Sequence, residues 1–306
     1  MHRSLRSLFV MSATGLLSLS LGPACATLGS GLNSVETGAA KTFISDDQES
    51  QLGLQVKSDL DNKQKVIYLD DATVVNYVRG VADKVLSFAT KERPAVKWQV
   101  NVIDDPKTVN AFATPGGYLY VYTGLLLLAD NEAQLAGIMG HESGHVVARH
   151  SARQMVDQFG LESVASLALG QNPGLLGQLT AGIAEKGTML SRSRSDEDEA
   201  DEYGAKYASA AGYDPHGLNT FFEKLKAKMG DTSGITTWLS DHPATIDRMS
   251  HINSYIDQNK LGGSDLGADR YAPIKQKLST HVTPAKQSAP PGGGGAPPSG
   301  GGAPPN

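Results

Sequence analysis

Residues 141–145 read His141-Glu142-Ser143-Gly144-His145, within a stretch patterned as helix. Two histidines four apart lie on one helix face, about one turn from each other. Both imidazoles then reach one tetrahedral Zn²⁺, and the glutamate beside the first histidine faces a water activated there. Zinc lowers the pKa of such a water to about 7, within reach of a carboxylate base. The pattern is that of a metallopeptidase. It fixes only three positions, so chance supplies it in roughly one chain in a hundred of this length, and the surrounding sequence has to decide.

Outward from this stretch, Asn131 caps a helix that the pattern carries to about Gln158, with Ile138, His141, His145 and Ala148 on one face. Gly144 costs that helix about 1 kcal/mol relative to Ala, so it calls for a close neighbour. Upstream, Pro115-Gly116-Gly117 signals a turn between Asn110-Ala-Phe-Ala-Thr and the aromatic run Tyr118–Tyr122. By itself this is a plain hairpin. Trp98, Val100 and Val102 alternate with polar residues as a half-buried strand. Before it, helices are expected from the capping-box spacing Ser45–Gln48 to about Leu60, and over Ala72–Phe88 with Val74, Val78, Val81 and Val85 on one stripe. Downstream, Leu161–Ile183 is rich in Leu, Ala and Gly and is broken by Pro173, too interrupted for a membrane span. It reads as core helices, or alternatively as a cover over the site or a membrane-facing surface. Helices follow over Ser195–Ala211, Pro215–Met229 and Ala244–Gln258.

Two histidines leave a zinc short of a protein ligand. His150, five residues past His145, points off their face in a continuous helix. Ser151 stands where the metzincin pattern needs its third histidine, which excludes that class. A carboxylate from another helix remains. The run Asp196-Glu-Asp-Glu-Ala-Asp-Glu202 offers several, and such a run is usually a solvated face. Periodicity separates its members. Glu197 and Asp201 align with Ala200, Gly204 and Ala208, small residues suited to inward packing, whereas Asp198 and Glu202 align with Lys206. Glu197 is the best inward carboxylate, and Asp201, one turn on, is placed to hold a ligand histidine.

The N-terminus reads as a targeting segment, residues 1–26: basic His2, Arg3 and Arg6, an apolar run Leu8–Leu21, then small residues. Export from a bacterial cytoplasm to the periplasm follows. Cys25 is the sole cysteine, so no intramolecular disulfide forms. Its position suits lipidation and attachment to the outer membrane, although Pro23 is foreign to such a box. Ala24-Cys25-Ala26 equally suits ordinary cleavage after Ala26. Residues 27–44 read as a tether, 45–282 as the folded domain, and 283–306, made mainly of Pro, Gly, Ser and Ala, as a disordered tail: a spacer, a cell-wall-facing extension or a dispensable tail. The net charge of −5, with no basic stripe, argues against a nucleic-acid partner.

Four segments occur in order: Asn110-Ala-Phe-Ala-Thr-Pro-Gly-Gly117, His141-Glu-Ser-Gly-His-Val-Val-Ala-Arg-His150, Ser193-Arg-Ser-Asp-Glu-Asp-Glu-Ala-Asp201 and Asp241-His-Pro-Ala-Thr-Ile-Asp-Arg248. Together they resemble the CAAX-prenyl-protease/HtpX family of gluzincin zinc metallopeptidases, in its soluble, exported branch. The resemblance covers roughly Ser45–Asp257. It implies an α+β, mostly helical zincin-like domain whose small β-sheet lines the active-site cleft with its edge strand. It implies one zinc held by His141, His145 and Glu197, with Glu142 as general base and then proton donor, and Asp201 orienting His141. Asn110, Ala111 and Phe112 would lie on the edge strand, where a polypeptide substrate adds as a further strand. Arg248 would stabilise the tetrahedral oxyanion. His242 would do the same, or would fill the metal's open position in a resting form. Without the family, His242 is a turn residue before Pro243 and Arg248 a surface cation. No transmembrane helices after the signal and no tetratricopeptide repeats are recognisable, which sets the chain apart from the membrane-bound and repeat-bearing branches.

Three functions therefore compete. One is an exported zinc endopeptidase acting on misfolded or unassembled envelope proteins. The second is a chaperone or assembly factor for outer-membrane proteins whose protease is latent. The third is a structural zinc domain, for which Glu142 is unnecessary and a closed four-ligand site is expected.

Overall fold

The computed structural model describes residues 44–186, 192–228, 242 and 246–281. The targeting segment 1–26 with Cys25, the tether to residue 43 and the tail 283–306 lie outside these residues.

Helix α1 (Asp46–Asn62) starts on the expected capping box: Gln48 N–H donates to Ser45 Oγ, and Ser45 N–H to Gln48 Oε1. Helix α2 (Ala72–Glu92) is capped by Asp71 and buries the stripe Val74, Val78, Val81 and Val85. Strands β1 (Gln99–Ile103), β2 (Ala111–Thr114) and β3 (Tyr118–Tyr122) form one sheet in the order β1-β3-β2. β1 runs parallel to β3, and β2 and β3 form an antiparallel hairpin with Phe112 opposite Tyr120. At its turn, Gly116 and Gly117 adopt φ of 81° and 94°. A Cβ on Gly116 would lie 2.8 Å from the Ser50 Cα, so the turn packs directly onto α1.

Strand alternation divides the core into two layers. Val100, Val102, Ala111, Ala113, Leu119 and Val121 join one cluster with the valines of α2. Ile103, Phe112, Tyr118, Tyr120 and Tyr122 join another with Leu52, Val56 and Leu60 of α1. Helices α3 (Thr123–Leu128) and α4 (Glu132–Val147) follow β3, and Asn131 caps α4 as expected. The helix does not continue to Gln158. It stops at Ala148, and Arg149 takes a left-handed φ of 63° before α5 (His150–Phe159) sets off in a new direction. That conformation is costly for a residue with a Cβ. Here it is held by ion pairing: Arg149 Nε donates to Glu49 Oε1 at 2.7 Å, and its guanidinium also donates to the Ile44 carbonyl.

Helices α6 (Leu161–Ala168) and α7 (Pro173–Lys186) bury Val164, Leu167, Leu175, Leu179 and Ile183 in the same cluster as the aromatic sheet face, so this segment is core. Among the described residues no helix is long and apolar enough to cross a membrane.

Helix α8 (Arg194–Ala210) begins with a capping box between Ser193 and Asp196. It packs closely on α4. A Cβ on Gly140 would lie 2.9 Å from the Gly204 Cα, and one on Gly144 would lie 2.6 Å from the Tyr203 Cβ. The close neighbour that Gly144 requires is therefore Tyr203. Lys206, aligned with Glu202 along the helix, turns to another partner. It reaches Glu92 of α2 at 2.7 Å, and Glu202 meets His251 at 3.0 Å. Helices α9 (Gly217–Ala227), α10 (Ile246–Asn259) and α11 (Ala268–Ser279) complete the described domain. The α+β class with a small sheet is as the sequence implies.

Candidate metal centre

The glycine-mediated approach of α4 and α8 sets the site. It brings the faces bearing His141, His145, Glu197 and Asp201 together, all buried to within 2% exposure. His141 Nε2 and His145 Nε2 are 3.1 Å apart, and Glu197 Oε1 lies 3.4 Å from His145 Nε2. Glu197 Oε2 lies 3.6 Å from His141 Nε2. His242 completes the group, its Nδ1 2.9 Å from Glu197 Oε2 and 3.1 Å from His141 Nε2. One ligand atom from each of the four falls within 4.8 Å of every other. Glu142 is fully buried beside them, its Oε1 3.4 Å from His242 Nε2.

Each ligating residue type is held from behind. Asp201 Oδ1 accepts the Nδ1 proton of His141 at 2.9 Å, which leaves Nε2 with its lone pair toward the group. Arg248 donates to Asp201 through Nε at 2.8 Å and Nη2 at 2.7 Å, and its Nη1 lies 3.0 Å from Glu197 Oε2. Its guanidinium also stacks over Phe222 at 4.9 Å. Burial alone would raise the Asp201 pKa; the Arg248 charge and hydrogen bonds, with the bond to His141, hold it below the usual 3.8. Burial pushes His141 down to about 4 and lowers His145 and His242 well below 6.5, the Arg192 charge adding to the shift of both. All three imidazoles are thus neutral at pH 7.

These features fit a divalent cation. The neutral imidazoles of His141 and His145 present lone pairs, the carboxylate supplies the oxygen, and Glu197 Oε1 is buried with no hydrogen-bond partner among the described residues. A nitrogen-rich set with one carboxylate suits a borderline ion rather than Mg²⁺ or Ca²⁺.

The profile of peptidase family M48 matches residues 73–256, three fifths of the chain and all of the centre just described. The chain belongs to this family. It is 33% identical over 185 residues to the mitochondrial metalloendopeptidase OMA1 of Schizosaccharomyces pombe, an alignment covering 60% of this chain and 54% of the relative. It is 29% identical over 270 residues to the beta-barrel assembly-enhancing protease of Escherichia coli, covering 84% of this chain and 54% of that protein. The metalloprotease LoiP of the same organism is 36% identical over 160 residues, covering 51% and 62%. The chain thus spans about half the length of the first two relatives.

The remaining site residues fall as follows. Asn110, Ala111 and Phe112 lie at or beside β2, the edge strand of the described sheet. Register leaves the outward N–H and C=O groups at Ala111 and Ala113, and Asn110 Oδ1 accepts the Ala111 N–H at 2.9 Å. The whole strand is buried, and Phe112 stacks on Tyr120 at 4.6 Å. Arg248 is not a surface cation: it sits behind Glu197 and Asp201, with its nitrogens directed at carboxylates. Two neighbours have no sequence signal. Arg192 Nη1 donates to His242 Nε2 at 3.2 Å, so the ring proton of His242 sits on Nδ1, aimed at Glu197. His150 Nδ1 lies 2.7 Å from His145 Nδ1. The left-handed turn at Arg149 swings it back toward a face that a continuous helix would have denied it.

Proposed function

We propose that this M48 peptidase is an exported zinc endopeptidase that hydrolyses peptide bonds of misfolded or unassembled envelope proteins. The carrying observation is the buried convergence of His141, His145 and Glu197 with Glu142 alongside but outside the ligand set. His141, His145 and Glu197 would hold the ion, with Asp201 orienting His141. Bound zinc supplies Lewis-acid polarisation of the scissile carbonyl and eases ionisation of water. Glu142 takes the proton of the attacking water and delivers it to the leaving amine. Arg248, committed to Asp201 and Glu197, fixes the ligand carboxylates in place, a task distinct from the expected contact with the oxyanion. The substrate adds to the β2 edge at Ala111 and Ala113, where Asn110 Oδ1 at present fills the first donor. An N-terminal export signal, with Cys25 as a lipid attachment point, and the name of the beta-barrel assembly-enhancing relative support the envelope setting. The test is the purified chain without residues 1–26. Zinc at one equivalent and casein cleavage that a chelator abolishes are expected, and a folded protein that binds no zinc refutes the ligand assignment.

One observation favours a latent form, as an assembly factor that cuts rarely would have. His242 fills the fourth corner of the group while β2 is buried. His242→Ala is then expected to raise casein cleavage roughly tenfold, the gain when about a tenth of the molecules are open at rest, with zinc content unchanged. A fall in rate instead assigns His242 to the reaction as an oxyanion donor.

A further inference from the structure

The two metal-binding histidines are supported in unlike ways. His141 is backed by a carboxylate, Asp201, itself bound by Arg248. His145 is backed by another imidazole. Its Nδ1 meets His150 Nδ1 at 2.7 Å, with the rings at 69°. Two ring nitrogens at that distance need one donor and one acceptor. His145 turns Nε2 toward His141 and Glu197, so with that lone pair free its proton resides on Nδ1. His150 Nδ1 must then accept, which puts the His150 proton on Nε2. Nε2 faces Glu199 Oε2 at 3.2 Å and Asp196 Oδ1 at 3.5 Å. Asp196 is held in turn by Arg153 at 2.5 Å and by the α8 cap. Every donor along this line has an acceptor, and His150 is fully buried.

On the reading of the centre given above, we propose that His150 is a positioning residue for the metal site. It accepts the Nδ1 proton of His145, fixes the tautomer and orientation of that ligand, and passes the hydrogen bond on to Glu199. His141 is thus oriented by a carboxylate and His145 by a ring nitrogen, two acceptors of different kind behind the same centre. The left-handed Arg149, tied to Glu49 and Ile44, is what aims His150 at its target.

Zinc affinity of the full chain, measured by chelator competition, tests this apart from catalysis. His150→Leu is expected to weaken zinc binding 10- to 100-fold. His150→Gln keeps an acceptor of similar reach and should recover most of the loss. Glu199→Ala, at a side chain 44% exposed and therefore tolerant of change, should weaken zinc in the same direction by less. The melting temperature of the zinc-free variants separates a general packing defect from this role. Wild-type affinity in His150→Leu, or equal losses in the Leu and Gln variants that track melting temperature, overturns the proposal. Absence of zinc from the unaltered chain refutes the centre itself, a different result from failure of His150 alone.

Discussion

Replacing Glu142 by Gln should lower kcat for casein by about 10²- to 10⁴-fold while zinc stays bound at one equivalent. The two halves of this expectation rest on different observations. Glu142 stands beside His242 Nε2 but contributes nothing to the four-atom cluster, so an amide in its place leaves His141, His145 and Glu197 able to hold the ion. The amide matches the carboxylate in shape but has no basic oxygen, so it cannot accept the proton of the attacking water or return it to the leaving amine. KM should change little, since the amide keeps the size and shape of the Glu142 side chain and leaves the outward groups of β2 unaltered. Cleavage at an undiminished rate in Glu142→Gln would remove Glu142 from the mechanism. Loss of zinc together with activity would show that the residue holds the site together. A purely structural zinc domain predicts no casein cleavage in either protein.

The parts of the site legible in the sequence were those governed by helix periodicity. His141 and His145 share a face because they are four apart, and Glu197 and Asp201 were separable from their acidic neighbours because small residues recur on their side. Gly144 announced a tight contact without naming it, and the contact proved to be Tyr203. Periodicity failed where the helix itself ended. Nothing at Ala148-Arg149-His150 signals a stop, because the residue in the left-handed conformation is neither Gly nor Asn. The turn is imposed by Glu49 and the Ile44 carbonyl, about a hundred residues away in sequence. The same limit applied to His242 and Arg192, whose meeting at 3.2 Å depends on elements fifty residues apart. In the fold, the hairpin and the valine stripe of α2 were local signals. The parallel pairing of β1 with β3, and the role of the Leu161–Ile183 segment as a layer over the aromatic sheet face, depended on tertiary contacts.

Arg248→Ala should be the most destabilising single change at the centre, by about 3–5 kcal/mol. Arg248 is 4% exposed and compensates two buried carboxylates at once, Asp201 through Nε and Nη2 and Glu197 through Nη1. Removing the guanidinium leaves both without their cation and leaves a cavity beside Phe222. For a domain of this size the melting temperature should fall by roughly 10 °C. The pH dependence supplies a sharper check. In the native chain Asp201 is held below its usual 3.8 by Arg248, so this pair stabilises the fold above that pKa and ceases to do so as the carboxylate is protonated. In the variant, burial acts with less opposition and raises the folded pKa of Asp201. A raised carboxylate pKa favours the fold at low pH and loses that advantage as pH rises through it. The gap between variant and native protein should therefore be widest near neutrality and narrow as pH falls toward 3.8. Arg248→Lys keeps the charge but not the planar fork, so it should recover part of the stability. A loss below about 1 kcal/mol, or a gap independent of pH, would mean that these carboxylates are stabilised by something other than Arg248. In that event the guanidinium would again be a candidate for the oxyanion contact that the family resemblance implies.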